Sequence, residues 1–131
     1  MTLAGVHNDS SLHEFMTEPS PALVEAVRRI TGTVLLLGGS GKMGPELAKT
    51  LRRADQMSGI NRDVIVASTF GNHATYKSLE KDGVRCIPGD LTDPSFINSL
   101  PRAGQVIYML GYKFGSDTDW HRTFHINWIV P

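Results

Sequence analysis

Hydrophobic and polar positions along the 131-residue chain change period several times. Residues 1–19 are polar, mixed in charge and without apolar period, which reads as a flexible or docked arm. Ser20-Pro21 then offers an N-cap followed by proline at the first helical position. "ALVEAVRRI" sets Leu23, Val24, Val27 and Ile30 on one face, predicting a helix within 20–32 that stops at Gly32. From Thr33 short apolar runs alternate with helical spacing. Val34–Leu37 reads as a strand covered on both faces, and 42–54 carries Met43, Leu47 and Leu51 at helical intervals. "DVIVAST" predicts a second strand, and Asn72 caps a helix that runs through Lys81 and ends at Gly83. "VRCIP" predicts a third strand, 94–100 a short helix and "QVIYMLG" a fourth strand. Asp117 or Asp119 opens a last helix. This βαβαβαβα order predicts an α/β domain over 33–131, a parallel sheet with helices on both faces that stops after about four strands.

Composition narrows the function classes. Thirteen basic and thirteen acidic residues cancel, so no global field favours nucleic acid or an anionic membrane. The N-terminus has no basic stretch leading into an apolar one. No apolar run approaches the ~20 residues that cross a bilayer. Cys86 is the single cysteine, so no internal disulfide forms and a reducing cytoplasm is the expected compartment. Its place in an apolar strand predicts a buried, inert thiol.

The chemistry concentrates in "TVLLLGGSGKMGPELAKTLRRA", residues 33–54, which reads as strand, glycine turn and helix. Gly38, Gly41 and Gly44 have G-x-x-G-x-x-G spacing. The first permits the sharp turn, the second lets backbone approach a pyrophosphate, and the third lets helix pack on strand. Free N–H groups at the helix start and the positive end of its dipole then face phosphate. Residues Gly38, Gly39, Ser40, Gly41, Lys42, Met43 and Gly44 are therefore the expected dinucleotide-binding turn, with a purely structural turn as the alternative. A P-loop would need glycine at position 36 and Ser or Thr at 43, where Leu36 and Met43 stand.

"GGSGKMG", "GDLTD" after the third strand and "HINWIVP" in the last helix resemble the extended short-chain dehydrogenase/reductase family, the NAD(P)-dependent epimerases and dehydratases acting mostly on nucleotide sugars. The lead-in "EPSPALVEAVRRITG" followed by "LGGSGKMGPELA" is similar to a bacterial subgroup of it, and the resemblance covers about residues 20–131. It implies a Rossmann-type fold in which Gly38, Gly41 and Gly44 hold the pyrophosphate. Asp90, beside Leu91, would bond the adenine amino group, and Met109, Leu110 and Gly111 would lie along the adenosine ribose. Asn127 matches an asparagine that helps position the catalytic lysine and a water. Asp90 making an Asx-turn and Asn127 as an exposed polar residue are the plainer readings.

NAD enzymes usually end the second strand with an acid that accepts from the ribose hydroxyls. Here Ser68 and Thr69 stand there, while Lys42 and His73 add positive charge. NADP is favoured and NAD stays open, since Thr69 replaces the arginine that often clamps the phosphate. The family's Tyr-x-x-x-Lys pair does not occur: the positions four beyond Tyr76, Tyr108 and Tyr112 are Glu80, Tyr112 and Ser116. The expectation is the cofactor-binding part of a hydride-transferring epimerase, dehydratase or reductase with a small-molecule substrate, Asn127 keeping only a supporting role. A non-catalytic dinucleotide-binding sensor or regulatory module is the alternative. An open fourth-strand edge predicts self-association through 105–110.

Three further patterns complete the reading. Asp117, His121 and His125 share a helix face, yet with no further ligand in view no metal site is expected. Trp120, Phe124 and Trp128 recur every four residues, which predicts core packing. Tyr112-Lys113 follows the fourth strand, where α/β ligands bind.

Overall fold

The structure, a computed structural model, describes residues 5–112 and 117–131. Its elements are α1 (Asp9–Met16), α2 (Pro21–Ala26) running into a 3₁₀ turn (Val27–Arg29), β1 (Val34–Leu37), α3 (Gly44–Met57), β2 (Val64–Ser68), α4 (His73–Lys81), β3 (Arg85–Pro88), α5 (Pro94–Ser99), β4 (Gln105–Tyr108), and α6 (Trp120–Phe124), continued by a π turn (His125–Ile129). The four strands form one all-parallel sheet in the order β3-β2-β1-β4. Alternate residues of each strand enter opposite cores. Val34, Leu36, Val64 and Val66 meet Ala48, Leu51 and Ala54 of α3, Leu79 of α4 and Val27, while Leu35, Ile65 and Ala67 pack with Leu91 and Phe96 on the other face. Covering both faces is why β1 and β2 are uninterrupted apolar runs. Cys86 is buried, and burial, followed by the charge of Glu80, pushes its thiol up to about 11.

The N-terminal segment carries structure that its composition did not announce. Asn8 Oδ1 accepts from the Ser11 amide and Ser11 Oγ from the Asn8 amide, a capping box that starts α1. The usual third-position residue of such a box is Glu or Gln, so serine gave a weak signal. No residue of α1 is buried. The helix docks on α3 through polar contacts: Arg53 Nη1 donates to the Glu14 carbonyl and to Thr17 Oγ1, and His13 Nδ1 lies 3.2 Å from Glu46.

The 20–32 segment is pinned by a buried cation. Arg62 lies 2.9 Å from Asp55, and both side chains are almost wholly buried. The guanidinium also donates to the Val27 and Ile30 carbonyls, closing the end of the 3₁₀ turn. Burial raises the Asp55 carboxyl above its ordinary range, an effect Arg62 partly offsets.

The aromatic stripe overturns its expectation. Trp120, Phe124 and Trp128 are 65%, 44% and 72% exposed, and Ile126 is the residue that this last segment buries instead. There the Tyr108 hydroxyl donates to the Ile126 carbonyl. Beside them runs the unpaired edge of β4, with Val106 more than half exposed. The opposite edge, β3, carries Arg85 and Pro88, residues that discourage pairing, whereas β4 has no such guard. Sedimentation velocity is expected to show concentration-dependent association through β4, weakened by Val106→Lys; a monomer at every concentration contradicts this.

Candidate functional site

A parallel sheet delivers the carboxyl ends of all its strands to one edge. The chain steps from β1 to β2 to β3 in one direction and then places β4 on the far side of β1. The crevice between β1 and β4 is thus the topological switch point, where open α/β sheets bind ligands. The glycine turn lies directly at this point.

Each glycine in the turn meets a different steric demand. Gly38 has φ +79° and gives its amide to the Ala67 carbonyl, and a Cβ there would sit 2.6 Å from the Leu110 nitrogen. A Cβ on Gly44 would fall onto the Gly39 carbonyl, so glycine lets the start of α3 rest against the turn. A Cβ on Gly39 would come within 3.1 Å of Leu36 and Val66. Gly41 differs: a Cβ there would point into open space, 4.0 Å from its nearest neighbour, the Gly38 carbonyl. The first and third glycines are thus required by the protein's own packing, and the second leaves room above the backbone. Met43, at the N-cap position of α3, makes no side-chain cap and is 74% exposed; Gly44 behind it is buried, and Pro45 brings no amide to the start of this 14-residue helix. Compared with known proteins, the chain matches no family model, and no curated protein matches it.

The other expected residues collect along the same edge. Ser68, 6% exposed at the end of β2, has its hydroxyl 2.6 Å from that of Ser40, which ties strand to turn. Thr69 beside it is exposed. Phe70 follows in the left-handed region (φ 49°), uncommon for a bulky residue, with its ring edge-on to Tyr76. Asp90 makes the Asx-turn: Oδ1 accepts both the amide and the hydroxyl of Thr92, and these bonds hold the carboxyl below its ordinary range. Its Oδ2 has no hydrogen bond among the described residues. Leu91 is buried. Met109 gives its amide to the Leu37 carbonyl, Leu110 abuts Gly38, and Gly111 is exposed.

Asn127 is exposed, as the plainer reading has it, and its side chain makes two bonds besides. Its Oδ1 accepts from the Tyr112 amide and its Nδ2 donates to the Tyr112 carbonyl, clamping the segment after β4 to the last turn. Arg122 lies over the Tyr112 ring, 5.0 Å from its centroid. Lys113 lies outside the described residues. His121 stacks on Trp120, and among the described residues no three His, Cys, Asp or Glu converge as metal ligands.

Beside the turn a groove of about 1040 Å³ runs over α3 between α1 and α4, with Gly41 and Lys42 among the residues that line it. Its α1 wall was invisible to apolar periodicity, because that helix docks through hydrogen bonds. No helix among the described residues is long and apolar enough to cross a membrane.

Proposed function

We propose that the chain binds a nicotinamide dinucleotide at the turn 38–44, as the cofactor-binding portion of an NAD(P)-dependent epimerase, dehydratase or reductase. The observation that supports this reading is the contrast within the turn: packing forbids a side chain at Gly38 and Gly44, whereas Gly41 faces open space in which a pyrophosphate would find room against the backbone. The amides at the start of α3 would meet the pyrophosphate. Asp90 Oδ2 would accept from the adenine amine, and 109–111 would lie along the ribose. When bound, the cofactor supplies hydride exchange at its nicotinamide with a hydroxyl-bearing carbon of a small substrate, a nucleotide sugar being the class that the resemblance suggests.

A second reading, a non-catalytic dinucleotide-binding module, is favoured by a different observation. None of Tyr76, Tyr108 and Tyr112 is followed by lysine at the fourth position, and Tyr108 already spends its hydroxyl on Ile126. The intact mass of the protein isolated from its source separates the two. A mass above 14.4 kDa with a Tyr-x-x-x-Lys peptide supports the enzyme; a mass of 14.4 kDa supports the module.

Binding itself is tested by NADPH fluorescence. Titration of the wild type is expected to saturate, and Gly41→Val to weaken binding about tenfold or more, a loss of about 1.4 kcal/mol, without lowering the thermal midpoint. Undiminished binding by Gly41→Val would remove the turn from the site. A wild type that never binds would remove the dinucleotide reading.

A further inference from the structure

We propose that helix α1 is a releasable strap, closed onto α3 by one latch, Arg53, and that it makes and unmakes a wall of the groove while the sheet and its helices stay folded. None of its residues is buried: Leu12 and Met16 are exposed and Phe15 is half-buried. Closure therefore gains little from removing apolar surface from water. The polar contacts of α1 with α3 come from two side chains. Arg53 Nη1 donates to the Glu14 carbonyl at 3.0 Å and to Thr17 Oγ1 at 2.7 Å. His13 Nδ1 lies 3.2 Å from Glu46 Oε1, with the imidazole mostly exposed. An exposed pair of that kind adds little, whereas the bonds from the guanidinium are charge-assisted. The latch is Arg53.

The limits of the moving part follow from what is anchored. Pro19 is buried, Ser20 caps α2, and Ser58 Oγ donates to the Val24 carbonyl. The hinge thus falls at the exposed Glu18, just beyond the latched Thr17. Eight residues are too few to persist as a helix alone in water, so α1 melts as it leaves and re-forms as it docks. Its capping box, Asn8 with Ser11, lies wholly within the strap and favours re-forming. Closure also carries a cost. Glu46 Oε2, on the carboxylate that meets His13, is buried with no hydrogen-bond partner among the described residues, which opposes the closed form. With latch and cost opposed, the open form is populated on the order of 1–10%. Ser10, His13, Glu14 and Thr17 form the α1 side of the groove. When they leave, that wall is lost and the α3 side chains Glu46 and Arg53 meet water. A polar ligand touching both walls would therefore favour the closed form.

Amide hydrogen exchange of the full chain, read residue by residue by NMR at rising, subdenaturing urea, tests this. The Leu12 and Thr17 amides, bonded to the Asn8 and His13 carbonyls, are expected to exchange about 10- to 100-fold more slowly than in an unstructured peptide. The buried Ala48 and Leu51 of α3 should be slower by a further factor of about 100 or more. Urea should speed α3 steeply and α1 hardly at all, because opening the strap exposes little surface. Arg53→Ala is expected to speed α1 exchange about fivefold or more. Thr17→Val, which removes one acceptor of the latch and keeps the side-chain shape, should do so by a smaller factor, and it decides the matter where Arg53→Ala fails to fold. One rate and one urea dependence for α1 and α3, or α1 amides as fast as a free peptide, would overturn the strap. An α1 rate unmoved in the folded variants would overturn the latch.

Discussion

Gly44→Ala is expected to destabilise the chain by about 3 kcal/mol, a large share of the roughly 5–15 kcal/mol that holds a small domain folded. The new methyl would fall onto the Gly39 carbonyl, which is backbone and cannot swing aside as a side chain would. Gly39 itself lies over the core, where a Cβ of its own would come within 3.1 Å of Leu36 and Val66. Alanine's better helix propensity, about 1 kcal/mol, does not offset a backbone collision. Urea unfolding followed by circular dichroism measures the effect, with Gly41→Val as the matched control at a glycine that faces open space. Wild-type stability in Gly44→Ala would mean that α3 does not rest on the turn as described.

The second large effect is expected at Arg62. Arg62→Ala should cost about 3–5 kcal/mol, because it leaves Asp55 buried without its cation and frees the Val27 and Ile30 carbonyls. The pH dependence follows from the raised Asp55 carboxyl. A carboxyl raised in the folded state favours folding most fully below its unfolded value, about 3.9, and that contribution fades as pH rises through the folded value. Removing Arg62 takes away a lowering influence and pushes the folded value higher still. The gap between variant and wild type should therefore be wide at pH 7 and narrow towards pH 4, read as urea midpoints across the range. Replacing both partners by apolar residues, Asp55→Leu with Arg62→Met, should recover part of the loss. A gap that does not change with pH would mean that the desolvated charge is not the cause.

Much of the fold was legible because its signals are local. β1 and β2 are apolar runs, Asn72 and Asp93 cap the helices expected after them, and Gly83 with φ +78° ends α4 where the sequence suggested. What escaped depends on contacts between distant segments or on polar docking. The Asp55–Arg62 pair has no local signature, since it forms only as Gly59, at φ +68°, turns the chain back from α3 towards β2. Helix α1 has a serine capping box and no buried apolar face, so periodicity passed over it. The spacing of Trp120, Phe124 and Trp128 correctly implied a common helical side but not its burial, which depends on a neighbour rather than on spacing. At the site, the glycine spacing predicted the turn, and Asp90 with Thr92 in "GDLTD" carried the Asx-turn signal. The Ser40–Ser68 bond spans 28 positions, and the clamp of Asn127 on Tyr112 spans 15; only folding brings either pair together.

The most direct test of the account is an amide chemical-shift map of the isotope-labelled chain titrated with NADP⁺. Saturable shifts are expected at 38–44, 68–69, 90–91 and 109–111, the four segments gathered at the carboxyl edge of the sheet, with the largest at Gly41 and Lys42. Shifts confined to other surfaces, or none at saturating dinucleotide, would contradict it.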